Sequence, residues 1–421
     1  KRRRVGARDA GSSIEMKIAQ INEKYSLVGG SEKTMRRCAD RLREDGHDVL
    51  VIHGEAEAAG EPGSAFLPSV RRATLFRGAE ARRDILRVLG EFGAEVVHFR
   101  NFDGPGVVRG VSRKYPTVRT VHTPWTYCPG AVKYWPRRRR VCEQPFGWRC
   151  LGRARRFGCD VRNDGSVIGR GELARRLAAC YAFRRADAQL GAVVVTSRWM
   201  KEMLVSAGQD GDKIHIIPPP VDVPPEAAEM NSGPPHVAAV GRASYIKGFD
   251  DLIRAIARLP EEVTLTLVGD GPQLNDLRSL ADRIGLNGRV RFAGWVRYED
   301  LGRIYREASV VALPSLWPEA FGNVGVEALS HGRPVVAYRV GGIPEWLEDG
   351  KVGLLAEPAD PHDLASKLRT LLDDPGRARA MGAAGRLAVR KYSLARHVEK
   401  TIAVYERAVA SARRGHVGTL S

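Results

Sequence analysis

No apolar run in this sequence approaches the roughly 18 residues that a membrane-crossing helix requires. The basic opening Lys1-Arg2-Arg3-Arg4 is not followed by the apolar stretch of a secretory signal. Met16, directly before a strand-like run, reads as the natural start, which makes residues 1–15 a basic extension. With no secretory signal, the expected compartment is the reducing cytoplasm. The six cysteines (Cys38, Cys128, Cys142, Cys150, Cys159 and Cys180) are therefore not first read as a disulfide framework. No two of them form a Cys-x-x-Cys pair, a poor spacing for a zinc finger. Acidic residues are also in deficit, at 49 against 67 Lys and Arg, for a net charge of +18. Such an excess invites nucleic acid, anionic lipid or phosphorylated ligands. No nucleic-acid-binding module is recognisable, and the basic residues are not interleaved with stacking aromatics, so nucleic acid is not the expected partner.

What is present is an alternation of strand-like and helix-like segments, which argues for parallel sheets covered on both faces. In the first half, strands are predicted at 17–22, 48–53, 95–99, 117–122, 189–196 and 213–217. Prolines crowd 218–225 and return at 234–235, too densely for helix or central strand, which marks a linker. The second half restarts the rhythm, with strands predicted at 236–240, 263–268, 289–293, 309–313, 334–338 and 353–356. Residues 361–413 are almost wholly helical in pattern. Two such halves leave one cleft at the carboxyl ends of their strands, the edge where open α/β sheets bind ligands.

Four segments carry candidate chemistry. Glu319-Ala320-Phe321-Gly322-Asn323-Val324-Gly325-Val326-Glu327 follows the strand ending at Leu313. A helix beginning near Asn323 offers free N–H groups and a dipole to an anion. Its flanking carboxylates, Glu319 and Glu327, suit a sugar hydroxyl and a ribose diol. The competing reading is an ordinary strand–turn–helix with two surface glutamates. Arg242 and Lys247 share one loop after the strand 236–240, where two cations suit a diphosphate; the alternative is a solvated basic loop. Gly29-Gly30 after the first strand could bring backbone amides to a phosphate or be a plain turn. His122 ends a strand and is either catalytic or structural. Asp210-Gly211-Asp212 lies in a polar loop before a strand and reads as a turn.

These residues resemble the retaining family-4 glycosyltransferases of GT-B fold. The likeness rests on the glutamate pair Glu319 and Glu327 with Phe321-Gly322 between them. It extends to the segments 240–248, 267–272, 292–296, 337–345 and 350–355, and in the first half to 29–32, 121–123, 195–204 and 216–222. The linker departs from the pattern, reading Pro-Pro-Pro-Val-Asp where an Asn-Gly usually precedes Val-Asp. The resemblance implies two Rossmann-like domains facing across a cleft, with C-terminal helices returning to the first domain. Residues 16–218 would be the acceptor-side domain, with a Cys/Arg-rich insertion at about 123–171. Residues 219–235 would be the linker, 236–394 the sugar-nucleotide-binding domain, and 395–421 a helix and tail packing back on the first domain. It further implies a transferase, of the hexosyl class, working with retention and without a metal. A UDP- or GDP-linked sugar would pass to a glycan, lipid-linked or polysaccharide-precursor acceptor. An epimerase or phosphorylase-like enzyme of the same fold is the alternative.

Residue by residue, Arg242 and Lys247 would hold the diphosphate and stabilise the leaving group, and Glu319 would hold donor-sugar hydroxyls. The backbone of Phe321, Gly322, Asn323 and Val324 would meet sugar and phosphate, and Glu327 the ribose. Gly269 and Val296 would border the base. Gly29 and Gly30 would close over the phosphates, and His122 would lie near the transferred sugar. Cys128, Cys142, Cys150 and Cys159 fall in the insertion, and some polysaccharide-assembly members carry similar cysteines. Buried thiols, a structural zinc site and disulfides all stay open for them. Between Ala131 and Leu190 there are 15 Lys and Arg against 5 Asp and Glu. This stretch, with Arg137-Arg138-Arg139-Arg140 beside Tyr134 and Trp135, predicts peripheral contact with the anionic inner face of the plasma membrane; the alternative is a solvated basic insertion.

Overall fold

The computed structural model describes residues 15–25, 30–75, 77–162, 166–225 and 233–417. By contacts the chain divides into two compact units, one of residues 1–120 with 402–421, the other of residues 121–401. The proline-rich segment falls within the second of these.

The first unit is a parallel sheet with strands β1 (Lys17–Ile21), β2 (Asp48–His53), β3 (Ser64–Phe66), β4 (Val96–Phe99) and β5 (Thr117–Val121), in the order β3-β2-β1-β4-β5. Its central strands are buried on both faces, as their near-continuous apolar sequence requires. His98 of β4 is buried, so its ring needs partners on both nitrogens. It finds Tyr405 Oη and Thr120 Oγ1, each at 2.7 Å. Tyr405 lies on the last helix, Leu394–Val417, whose residues from 402 onward cluster with this unit. The C-terminal return expected from the sequence is thus present.

In the second unit, a two-residue antiparallel ribbon, β6 (Tyr134–Trp135) with β7 (Arg140–Val141), precedes the parallel pair β8 (Ala192–Val195) and β9 (Ile214–Ile216). A six-stranded parallel sheet follows, formed by β10 (His236–Val240), β11 (Thr264–Val268), β12 (Val290–Gly294), β13 (Val310–Leu313), β14 (Val335–Tyr338) and β15 (Gly353–Ala356). Its order is β12-β11-β10-β13-β14-β15. The expected strands all appear, with ends moved by a few residues. β3 and the β6–β7 ribbon went unread, being too short to show a period. Asp210 caps a 3-10 turn by accepting from Asp212 N at 2.9 Å, so Asp210-Gly211-Asp212 is the turn it was read as. Among the described residues, no helix is long and apolar enough to cross a membrane.

The β6–β7 segment is fastened to the six-stranded half by a long-range ion pair. Arg139, left-handed at φ 48°, turns its guanidinium onto Asp251, with Nη2 donating to both carboxylate oxygens at 2.6 Å. Asp251 is 1% exposed on the helix Phe249–Ile256 and also accepts from Tyr338 Oη at 3.1 Å. Val132 and Tyr134 join the hydrophobic core of that half. Removing the guanidinium leaves a buried carboxylate one charged partner short. We therefore expect Arg139→Ala to cost about 1.5–3 kcal/mol, the usual worth of hydrogen bonds to a charged group. Arg139→Lys should recover part of the loss, as read from urea denaturation midpoints.

Candidate active site

The site grows from the carboxyl ends of β10, β11, β12 and β13. Parallel strands buried on both faces end together, and only their connecting loops are free to meet a ligand. The loop after β10 carries Gly241, exposed Arg242 and a 3-10 turn, Tyr245–Lys247. The loop after β11 begins with Gly269 at φ 128°, pressed so closely on its neighbour that a Cβ there would strike the Gly241 carbonyl oxygen. Only glycine allows this backbone approach. Beside the two loops opens a cavity of about 620 Å³, lined among others by Arg242, Gly269, Asp270, Trp295, Val296 and Leu301. Arg242, Gly269 and Val296, chosen from the sequence, therefore share one cavity. Trp295, 64% exposed, and Leu301 were not foreseen.

At the end of β13 the chain reaches Glu319, which is 7% exposed. Lys247 Nζ and Ser315 Oγ each donate to Glu319 Oε1 at 2.6 Å. Burial alone would raise this carboxyl's pKa. The Lys247 charge and the hydrogen bonds outweigh it, and the carboxyl is held below its usual range. Lys247 also lies 5.6 Å from the Trp317 ring centroid, a cation–π contact. Ser315 and Trp317 carry no signal in isolation. Each matters only because the loop after β13 folds back on Lys247.

Three residues on, Gly322 caps the helix Asn323–Ser330 at φ 88°, where a Cβ would lie 3.2 Å from Leu313 Cδ2 and 3.3 Å from Ile343 Cγ1. The helix starts where the sequence placed it. The N–H groups of Asn323 and Val324 precede any intrahelical acceptor. The neighbouring carbonyl of Phe321 is fixed by Trp346 Nε1 at 2.5 Å. One turn further, Glu327 Oε2 accepts from Tyr305 Oη at 3.0 Å beside a second cavity of about 190 Å³. That cavity includes Tyr298, His331 and Leu301; Leu301 therefore lines both. Burial, then the nearby Arg306, Arg333 and Arg386, brings His331 down to about 4, so this ring is neutral near pH 7.

The other candidates are placed differently. His122 is half-buried just past β5 and lines neither cavity. Gly30 opens the helix Gly30–Glu44 of the first unit, and Gly29 lies outside the described residues. Cys128, Cys142, Cys150 and Cys159 all line a third cavity, of about 30 Å³. Among the described residues, no three His, Cys, Asp or Glu side chains stand in metal-holding geometry.

Comparison with known proteins agrees with this architecture. Residues 225–388 match the family model described as Glycosyl transferases group 1, and residues 28–159 the one described as Glycosyltransferase Family 4. A D-inositol 3-phosphate glycosyltransferase of Corynebacterium kroppenstedtii is 38% identical over 41% of this chain and 40% of its own length. The chain spans about half the length of the D-inositol 3-phosphate relatives it matches, 40% and 57% in two of them. The MMP alpha-(1->4)-mannosyltransferase of Mycolicibacterium hassiacum is 28% identical over 94% of this chain and 99% of its own. Among solved structures, sucrose-phosphate synthase of Thermosynechococcus elongatus aligns with TM-score 0.74 at 21% identity, covering 94% of this chain and 100% of that one. Anabaena HepE, solved with UDP and glucose, aligns with TM-score 0.67 at 20% identity, covering 92% and 98%. At such identities the likeness establishes the fold, which is GT-B.

The Lys247–Glu319 pair has a pH signature. Glu319's folded pKa is depressed, so its stabilisation is present above the unfolded value near 4.5 and is lost as pH falls through the lower folded value. In Lys247→Met, burial acts with no charge to oppose it. Carbon NMR of the Glu319 carboxyl should then show its pKa moving up from the wild-type value. An unmoved pKa would show that the pair does not set the charge of Glu319.

Proposed function

The chain belongs to the family-4 glycosyltransferases, and from that premise we propose that it moves a sugar from a nucleotide diphosphate sugar to a hydroxyl acceptor, with retention of anomeric configuration. The observation that carries this reading is the Lys247–Glu319 pair, set beside the start of the helix Asn323–Ser330 and the cavity of Arg242. In the reaction, the bond between the anomeric carbon and the diphosphate oxygen breaks. The acceptor oxygen takes its place and loses its proton, and a nucleoside diphosphate leaves. Negative charge grows on the leaving oxygen. Arg242, Lys247 and the amides of Asn323 and Val324 stand ready to stabilise it without reorganising, often the largest catalytic contribution. These groups supply the positive field, so the reading needs no divalent cation. Lys247 and Ser315 both bond Glu319 Oε1, and the carboxylate can also accept from a donor-sugar hydroxyl. Glu327, oriented by Tyr305, suits the paired hydroxyls of a ribose, and the larger cavity suits the base. UDP is the favoured nucleotide, since HepE is a protein of the same fold solved with UDP and glucose.

Loss of Lys247 or Glu319 should lower turnover by about 10²–10³-fold, the usual cost of removing one such electrostatic contact. With any tightly held structural metal accounted for, activity should survive excess chelator, and product analysis should show an acceptor-linked sugar with the donor's anomeric configuration. Near-native turnover in Glu319→Ala, or an inverted product, would sink the reading. Conversion of the donor sugar without any acceptor would point to an epimerase instead.

For the acceptor, the reading favours a glycan or polysaccharide precursor carried on lipid, met at an anionic cytoplasmic membrane face. Trp148 is 71% exposed and Leu151 42%, at the start of a helix that also carries Arg149, Arg153, Arg155 and Arg156. Aromatic and basic side chains together suit the headgroup level. Arg139 is committed to Asp251, and Arg138 stacks 4.6 Å from the Phe157 centroid, so the four-arginine run is not a wholly free patch. Sedimentation with liposomes should therefore show binding that needs anionic lipid, weakens with salt and falls in Trp148→Ala with Arg155→Gln and Arg156→Gln. Equal binding to neutral liposomes would remove the membrane from the proposal.

A further inference from the structure

Four cysteines of one insertion reach one small space. Cys128 ends the 3-10 turn Pro124–Tyr127, Cys142 directly follows β7, Cys150 sits in the first turn of the helix Arg149–Phe157, and Cys159 comes just after that helix's left-handed cap, Gly158. Electrostatic interaction links every pair among the four. They line the cavity of about 30 Å³ with Lys133 and Arg153, room for about one atom-sized occupant.

The surrounding segment is held by side-chain contacts, Trp135 stacked on Phe157 at 4.4 Å among them, more than by regular structure. Its ribbon has two residues per strand, and its own buried cluster is Ala154, Ile168 and Leu173, packed by Cys159. Small segments with so little core ordinarily need a staple. Three of the four non-glycine residues at positive φ among the described residues, Ala131, Lys133 and Arg139, fall here. Such backbone persists only where its surroundings fix it. No disulfide joins the four sulfurs; all are free thiols.

We propose that Cys128, Cys142, Cys150 and Cys159 bind one thiophilic divalent cation, of the zinc class, as a structural site in this insertion. Four thiolates around a zinc-class dication carry a net charge of −2, which in a buried place needs compensation. Lys133 supplies part of it. The residue is 4% exposed, and its ammonium donates to Gln144 O at 2.5 Å beside the thiols. Arg153 at the cavity wall supplies more. The sulfurs do not yet stand at ligand distances. Loading therefore draws them inward to about 2.3 Å from the metal and makes folding of the segment metal-linked. Its role is to hold the segment whose Arg139 and Tyr134 grip the six-stranded half. Nothing in it depends on the chemistry proposed for Lys247 and Glu319.

The test uses the full chain purified without chelator. Elemental analysis should find about one zinc per chain in the wild type and in Cys180→Ala, a buried cysteine outside the cavity, and nearly none in Cys142→Ser. Should Cys142→Ser fail to fold, the wild type decides alone. After mercurial displacement of bound metal, Co²⁺ added to the apo-protein should give tetrahedral thiolate–cobalt absorption that saturates at about one equivalent. Two disulfides among the four by mass spectrometry would overturn the proposal. So would a metal-free wild type that raises no such absorption with Co²⁺.

Discussion

A carboxylate almost wholly withdrawn from water stays ionised only where an opposite charge or several hydrogen bonds compensate it. Glu319 meets that condition through Lys247, and the demand organises the site. The two residues lie on loops after β13 and β10, which are neighbours in the sheet, so the pair ties together loops 72 residues apart in sequence. On stability grounds alone such a pair is a poor investment, since an apolar replacement of similar volume often does as well or better. Its position at the carboxyl ends of parallel strands, beside a helix N-terminus, gives it a different rationale. A pre-paired ammonium and carboxylate can each turn to a ligand while the other stays compensated.

Positive potential converges here from several sources that need no rearrangement. The helix Asn323–Ser330 presents its first amides, Gly322 gives the sharp entry that aims them, and Arg242 stands exposed at the wall of the larger cavity. Leu301 lies on both that cavity and the smaller one holding Glu327. Neutral His331 and the phenol of Tyr305, whose pKa is driven far up by burial and then by Glu327, add no competing charge to the second cavity.

Much of this was legible in the sequence because the fold is regular. Apolar runs of strand length gave the strands, and the motif at 319–327 gave the helix start at Asn323. The loop position of Arg242 gave one member of the larger cavity, and the family resemblance added Gly269 and Val296. What stayed hidden depended on tertiary return. Ser315 and Trp317 act only because their loop folds against Lys247, and Tyr305 only because its helix lies beside Glu327. Arg139 illustrates the limit most clearly. Within a run of four arginines it reads as solvated charge, yet its partner Asp251 is 112 residues away. No periodicity reports such a contact.

The Arg139–Asp251 contact also changes what the cysteine-bearing segment is for. A basic insertion attached only by its ends would be a surface ornament. This one sends Val132 and Tyr134 into the core of the six-stranded half, pairs Arg139 with the helix Phe249–Ile256, and accepts a hydrogen bond at Val161 O from Tyr245 Oη at 3.4 Å. Tyr245 begins the turn that ends in Lys247, and Asp251 lies in the helix immediately after it. The insertion thus grips the Lys247 loop on both sides. Trp135 stacked on Phe157, with ring centroids 4.4 Å apart, and Phe146 set against Tyr127 and Tyr181 pack the segment from within.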